Sequence, residues 1–115
     1  MTQFPTRSQQ LVDLADERII ILDGAFGTML QSLNLTEDDF RGSRFKSHGT
    51  NLRGCNDVLC LTCPQAVAGI HRQYLEAGAD IIETNSFNAN AISLADYALS
   101  EYAAEINLAA AEIAR

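Results

Sequence analysis

The stretch from Ile19 to Leu30, "IIILDGAFGTML", limits the possible folds more than any other part of the chain. Ile19 to Leu22 is an apolar, mostly β-branched run without polar alternation, the pattern of a strand buried on both faces. It ends on a carboxylate, Asp23, and two glycines, Gly24 and Gly27, precede a short segment of helical character, Thr28 to Leu33. A strand covered on both sides needs helices above and below it, so the first strand already directs the chain toward an α/β architecture.

The remaining segments keep to that pattern. Ser8 to Glu17 predicts a short amphipathic helix with Leu11, Val12, Leu14 and Ala15 on one face. Thr36 to Asp39, "TEDD", has the form of a helix N-cap, with acidic groups at the positive end of the helix dipole. Arg41 to Asn56, "RGSRFKSHGTNLRGCN", is polar, basic and punctuated by glycine, which predicts a long loop; such loops inside compact domains are uncommon and often functional. Val58 to Leu61 is expected as a short extended piece. Pro64 suits a first helical position, and the helix is predicted to run to Ala77 with Gly78 as its stop and Val67, Ile70, Tyr74 and Leu75 as its apolar stripe. Asp80 to Glu83, "DIIE", reads as a second strand, and "TNSFNAN" follows as a loop. From Ala91 the chain predicts helix to Arg115 with a break near Ser100, and Ile106, Ala110 and Ile113 form its apolar face.

Strand, helices, strand, helix is the order of a parallel sheet, in which ligand-binding groups gather at the carboxyl ends of the strands. Residues 1–17 read as an N-terminal extension helix. Residues 18–115 read as the first part of a larger domain, because a two-strand parallel unit cannot cover its own faces and Arg115 falls in mid-helix.

The 115 residues fit one domain, and 47% of them are hydrophobic, enough for a core. A formal charge of −7 argues against nucleic acid or an anionic membrane surface as partner. No apolar run approaches the ~20 residues of a spanning helix, and no export signal is visible, so Asn34-Leu35-Thr36 is not expected to be glycosylated. Three cysteines without an export signal fit a reducing cytosol. Their C-x4-C-x2-C spacing lacks the fourth cysteine of an iron–sulfur site, and Cys60 lies in an apolar run, "VLCL", where a thiol packs as a small hydrophobe. His71, beside Ile70, and His48, in the basic loop, have no metal-ligating partner four residues on.

Two strand ends are polar where chemistry is expected. Asp23 can hold an ammonium group, while the backbone of Gly24, Ala25, Phe26 and Gly27 can come close to a ligand and offer N–H groups to a carboxylate. Together they would grip both ends of an α-amino acid. The competing reading is a strand-to-helix turn in which Asp23 caps the next helix. "GAFG" is neither a phosphate loop nor a dinucleotide fingerprint, because it lacks the lysine and the further glycine. At the other strand end, Glu83, Thr84 and Asn85 can face the same pocket; alternatively Glu83 pairs with an interior cation and Asn85 makes an Asx-turn. Phe87 is expected to pack rather than to stack on a ligand.

Four segments in order and spacing, "ILDGAFGTMLQ", "DDFRGSRF", "LRGCNDVLCLTCP" and "YLEAGADIIETNSFNA", resemble the homocysteine S-methyltransferase family over nearly all of the chain from Arg18. "DGAFGT" and "GADIIETNSF" are shared across that family, whereas "DDFRGSRF…GCNDVL" is narrower and favours its cobalamin-dependent, methionine-forming branch. The resemblance implies the N-terminal part of a (β/α)8 TIM-type barrel, incomplete in this chain because such a barrel needs ~250 residues. It implies a methyltransferase in which zinc, held by three cysteines, binds the sulfur of homocysteine as a thiolate. The methyl group would come from methylcobalamin, recharged from 5-methyltetrahydrofolate, on pterin- and cobalamin-binding modules of the same polypeptide.

Asp23 matches the family position that holds the substrate ammonium, and the backbone around Ala25 and Phe26, between Gly24 and Gly27, matches the segment that receives the carboxylate. Glu83, Thr84 and Asn85 match the second loop lining the pocket. The family's zinc cysteines, two of them adjacent, have no counterpart in Cys55, Cys60 or Cys63. No catalytic or metal-ligating residue is therefore assigned, and these residues alone are expected neither to bind zinc or cobalamin nor to transfer methyl groups. The rival readings are a cobalamin-independent homocysteine methyltransferase using betaine or S-methylmethionine, and a non-catalytic relic or interaction module. The isolated chain is expected to expose apolar surface on its last helix and on its sheet edges.

Overall fold

Helix caps and stops set most of the architecture. The structure, a computed structural model, describes residues 5–115; the first four residues of the expected 1–17 extension lie outside them. Helix α1 (Arg7–Glu17) starts at Thr6, whose hydroxyl accepts the Gln9 N–H at 3.1 Å. No residue of α1 is buried, and Leu11 and Val12 are exposed, so its expected apolar face is not part of the core. Helix α2 (Gly27–Ser32) follows the first strand segment, and α3 (Glu37–Arg41) is closed by a reciprocal box between Thr36 and Asp39. That box is the one the "TEDD" spacing predicts.

Val58 to Leu61 corrects its expectation. It forms a 3-10 turn (Asn56–Val58) running into helix α4 (Leu59–Thr62), not an extended piece. Helix α5 (Pro64–Glu76) begins on its proline, and Gly78 beyond it takes φ +110°, a left-handed turn that glycine accepts without strain. Its inward stripe is Val67, Ile70 and His71, with Tyr74 half-buried; Leu75, expected there, is exposed. Asn90 caps α6 (Ala91–Leu94), two 3-10 turns bracket the left-handed Ala98 at φ +54°, and α7 (Ala103–Ala114) completes the chain. The break near Ser100 is thus present.

The predicted strands reduce, among the described residues, to a single parallel bridge between Leu22 and Ile81. Ile81 N–H reaches the Ile21 carbonyl at 3.2 Å and its carbonyl accepts the Asp23 N–H at 2.9 Å, the hydrogen-bond pattern of a parallel pair. The pairing does not lengthen because strands of this kind are stabilised by cover on both faces, and here Ile19 is 85% and Ile21 51% exposed. The register is fixed from below by Arg18, whose guanidinium meets Asp80 at 2.5 and 2.7 Å, while Asp80 also accepts the Ile21 N–H at 2.9 Å.

The core lies between α4, α5, α7 and the Arg41–Asn56 loop, with Leu52, Val58, Leu59, Val67, Leu94, Leu99 and Ile106 fully buried. The loop is wound around one ion pair. Glu37 accepts the Leu52 and Arg53 N–H groups at 2.7 and 2.8 Å and meets Arg41 Nε at 2.7 Å, and Arg41 donates to the His48 carbonyl at 2.6 Å. Ile106 and Ala110 are buried and Ile113 is half-buried, so that face of the last helix is covered, while the helix does expose apolar surface, as expected, at Leu108, which is 61% exposed. The sheet-edge residues do expose apolar surface.

Candidate functional site

A parallel ladder continued past Ile81 would bring the Glu83 N–H to a main-chain carbonyl of the first strand. The Asp23 side chain takes that place: its Oδ2 accepts the Glu83 N–H at 3.0 Å. The carboxylate therefore ends the pairing and ties the two strand ends together at their tips. It does not cap α2, whose N-cap residue is Phe26 and which has no side-chain cap. The capping alternative for Asp23 is thereby corrected. One Asp23 oxygen carries this bond, and a carboxylate offers about four acceptor sites in all.

Asp23, Gly24, Phe26 and Gly27 form one wall of a cleft of about 330 Å3, and Glu83, Thr84, Asn85, Ser86, Phe87 and Asn88 form the facing wall. Ala25 turns its carbonyl toward α5 instead. Glu83 and Thr84 are exposed, and the Thr84 and Ser86 hydroxyls are 2.6 Å apart. Phe87 is 95% exposed at the rim, which corrects the expectation that it packs. Asn85 is buried and serves structure: its side-chain Nδ2 donates to the Asn56 carbonyl at 2.9 Å, and its main-chain carbonyl accepts the Cys60 S–H at 3.3 Å. It fastens the second strand-end loop to the floor of the cleft.

That floor is a third wall that the sequence reading left inside the long loop and the segment after it: Gly54, Asn56 and Asp57. Asp57 is buried, and its Oδ2 accepts the Asn88 N–H at 3.0 Å. Burial pushes its carboxyl upward from the ordinary value, against the opposing pull of the backbone N–H groups. The signal for this wall was the "GCND" turn, a glycine and a cysteine followed by two short polar side chains, with Gly54 at φ +98°.

Helix α5 supports the first wall. Tyr74 donates its hydroxyl to the Ala25 carbonyl at 2.6 Å, and the His71 ring lies 5.3 Å from the Phe26 ring, tilted by 55°. His71 is buried with neither ring nitrogen hydrogen-bonded among the described residues.

The residues present do not fit the zinc site that the resemblance implies. Cys55 and Cys60 are buried in the core, and burial pushes both thiols up to about 11, away from the thiolate that a metal needs. Among the described residues no three His, Cys, Asp or Glu side chains converge on a point that could hold a metal ion. No helix of the described residues is long and apolar enough to cross a membrane. In comparison with known families, residues 20–115 match the family model described as homocysteine S-methyltransferase.

Proposed function

The chain belongs to the homocysteine S-methyltransferase family, and from that premise we propose that the Asp23 cleft takes the amino-acid end of homocysteine. The substrate ammonium sits on the Asp23 carboxylate, and its carboxylate is received by the peptide N–H groups around Ala25 and Phe26, between Gly24 and Gly27. Glu83, Thr84 and Asn85 complete the facing wall, the first two as exposed polar groups and Asn85 as the fastener of its loop. The sulfur end then lies toward the open side of the cleft. The protein is, in this reading, the homocysteine-binding barrel segment of a cytosolic, cobalamin-dependent methionine synthase. The zinc and cobalamin of such an enzyme would be held by residues outside those described here, and no chemical step is assigned to them.

One observation carries the reading: the Asp23 carboxylate is held by a strand-end N–H at the edge of a cleft and not used as a helix cap. A charge fixed in this way needs little reorganisation to meet an ammonium group. Titration of homocysteine into the complete enzyme carrying Asp23→Asn tests it. Affinity is expected to fall by about 2–3 kcal/mol, roughly 30- to 150-fold. Unchanged affinity would take Asp23 out of the site. The donor is read separately, by offering the unaltered enzyme methylcobalamin, betaine or S-methylmethionine; turnover with betaine alone would reject the cobalamin assignment.

A further inference from the structure

Two side chains one helical turn apart on α5 hold the Asp23–Gly27 turn. Tyr74 donates to the Ala25 carbonyl at 2.6 Å, and its hydroxyl oxygen lies 3.5 Å from where a Cβ on Gly24 would stand. His71, three residues earlier, supports the Phe26 ring. A planar trans peptide points its C=O and the following N–H in opposite directions, and this chain has no cis peptide among the described residues. Drawing the Ala25 oxygen toward Tyr74 therefore turns the Phe26 N–H away from it. The residues on either side of that peptide, Gly24, Phe26 and Gly27, line the cleft, whereas the Ala25 oxygen is engaged by α5. Rotating this one peptide would present a carbonyl oxygen where an anion is to be received, exchanging attraction for repulsion.

We propose that Tyr74 is a positioning residue for the α-carboxylate of the substrate: its hydroxyl holds the Ala25–Phe26 peptide with the N–H side toward the cleft. The proposal rests on the amino-acid reading of the cleft and adds the residue that sets selectivity for the carboxylate end. Tyr74 touches no reacting atom. It acts through the backbone, so its removal is felt in recognition and not in the methyl-transfer step.

The test compares KM and kcat of the complete enzyme, unaltered and as Tyr74→Phe, with homocysteine and with 3-aminopropane-1-thiol, the same thiol amine without the carboxylate. Tyr74→Phe is expected to raise KM for homocysteine about five- to tenfold, the effect of losing one orienting hydrogen bond, with kcat nearly unchanged. KM for the thiol lacking a carboxylate stays where it was. Asp23→Asn is run beside it and raises KM for both compounds, since both carry the ammonium. If Tyr74→Phe leaves both KM values unmoved, shifts them equally, or lowers kcat instead, while Asp23→Asn behaves as stated, the Tyr74 proposal is overturned and the amino-acid reading stands. If Asp23→Asn also changes nothing, the amino-acid reading has failed and the proposal falls with it. A second measurement needs no folded variant. In unaltered enzyme labelled with 15N-phenylalanine, the Phe26 amide is expected to shift on adding homocysteine but not on adding 3-aminopropane-1-thiol. An amide that ignores homocysteine overturns the proposal.

Discussion

A buried imidazole with both nitrogens unpaired costs about 1–3 kcal/mol relative to a satisfied one, and His71 is such a group among the described residues. Burial lowers its pKa from 6.5, while the charge of Asp23 pulls the other way. Below pH 6.5 the unfolded chain therefore takes up the proton before the folded one does, and folded-state stability falls until the lower folded pKa is passed. Urea melts should show a lower midpoint at pH 5.5 than at pH 7.5. His71→Phe, which keeps a ring against Phe26, should lessen that drop and stabilise the protein at neutral pH by about 1–3 kcal/mol. Equal drops in both proteins would assign the effect to another group. Asp80 acts in a different window: Arg18 and the Ile21 N–H hold its carboxyl down to about 2, so its contribution is complete above pH 3.8 and is lost only as pH falls toward 2. At this scale the place of Asp23 at the end of an apolar run was legible, but its bond to the Glu83 N–H, 60 residues away, was not. The burial of His71 was legible only in part, through its spacing.

That spacing belongs to the element. Val67, Ile70, His71 and Tyr74 stand at i, i+3, i+4 and i+7, which is one helical face; Leu75, at i+8, stands at the edge of that face in the last turn and is 48% exposed. A conflict between composition and geometry explains Val58 to Leu61. A four-residue apolar run has no readable period, and the turn at Asn56–Val58 carries it directly into α4 instead of a strand. Within α5, Gly69 has open space where a Cβ would point. Its missing side chain therefore weakens the helix without serving a close approach. Gly69→Ala should raise stability by about 0.5–1 kcal/mol, read as a higher denaturation midpoint with homocysteine affinity unaltered. A lower midpoint would reveal a contact made at that position by something outside the described residues.

Among the described residues, α4, α5 and α7 share a buried core, and the strand side has no such cover. Ile19, Ile21 and Leu22 expose apolar side chains next to a bridge that leaves backbone donors and acceptors available for pairing. The 115-residue chain, studied alone, should self-associate through this edge at micromolar to millimolar concentrations. Ile19→Lys should suppress that association in light scattering without lowering the melting temperature, since the Ile19 side chain packs on almost nothing. Association undiminished by the lysine would place the contact on another surface. The long loop is the other feature of this scale. Its length marked it as functional, but its winding around the Glu37–Arg41 pair joins residues up to 16 apart in sequence, and no local pattern announces that.

Local chemistry alone set the Thr36–Asp39 box, the proline start and glycine stop of α5, and the placing of a carboxylate at the tip of the first strand segment. Each depends on atoms within a few residues of one another, so the order of residue types is enough to specify it. Tertiary structure alone decided that Asp23 binds the Glu83 N–H instead of capping α2, that Asn85 is consumed in fastening its loop, and that Asp57 forms the floor of the cleft. These contacts join residues about 30 to 60 positions apart, and which partner wins there depends on packing and competition among hydrogen bonds rather than on neighbours in the chain.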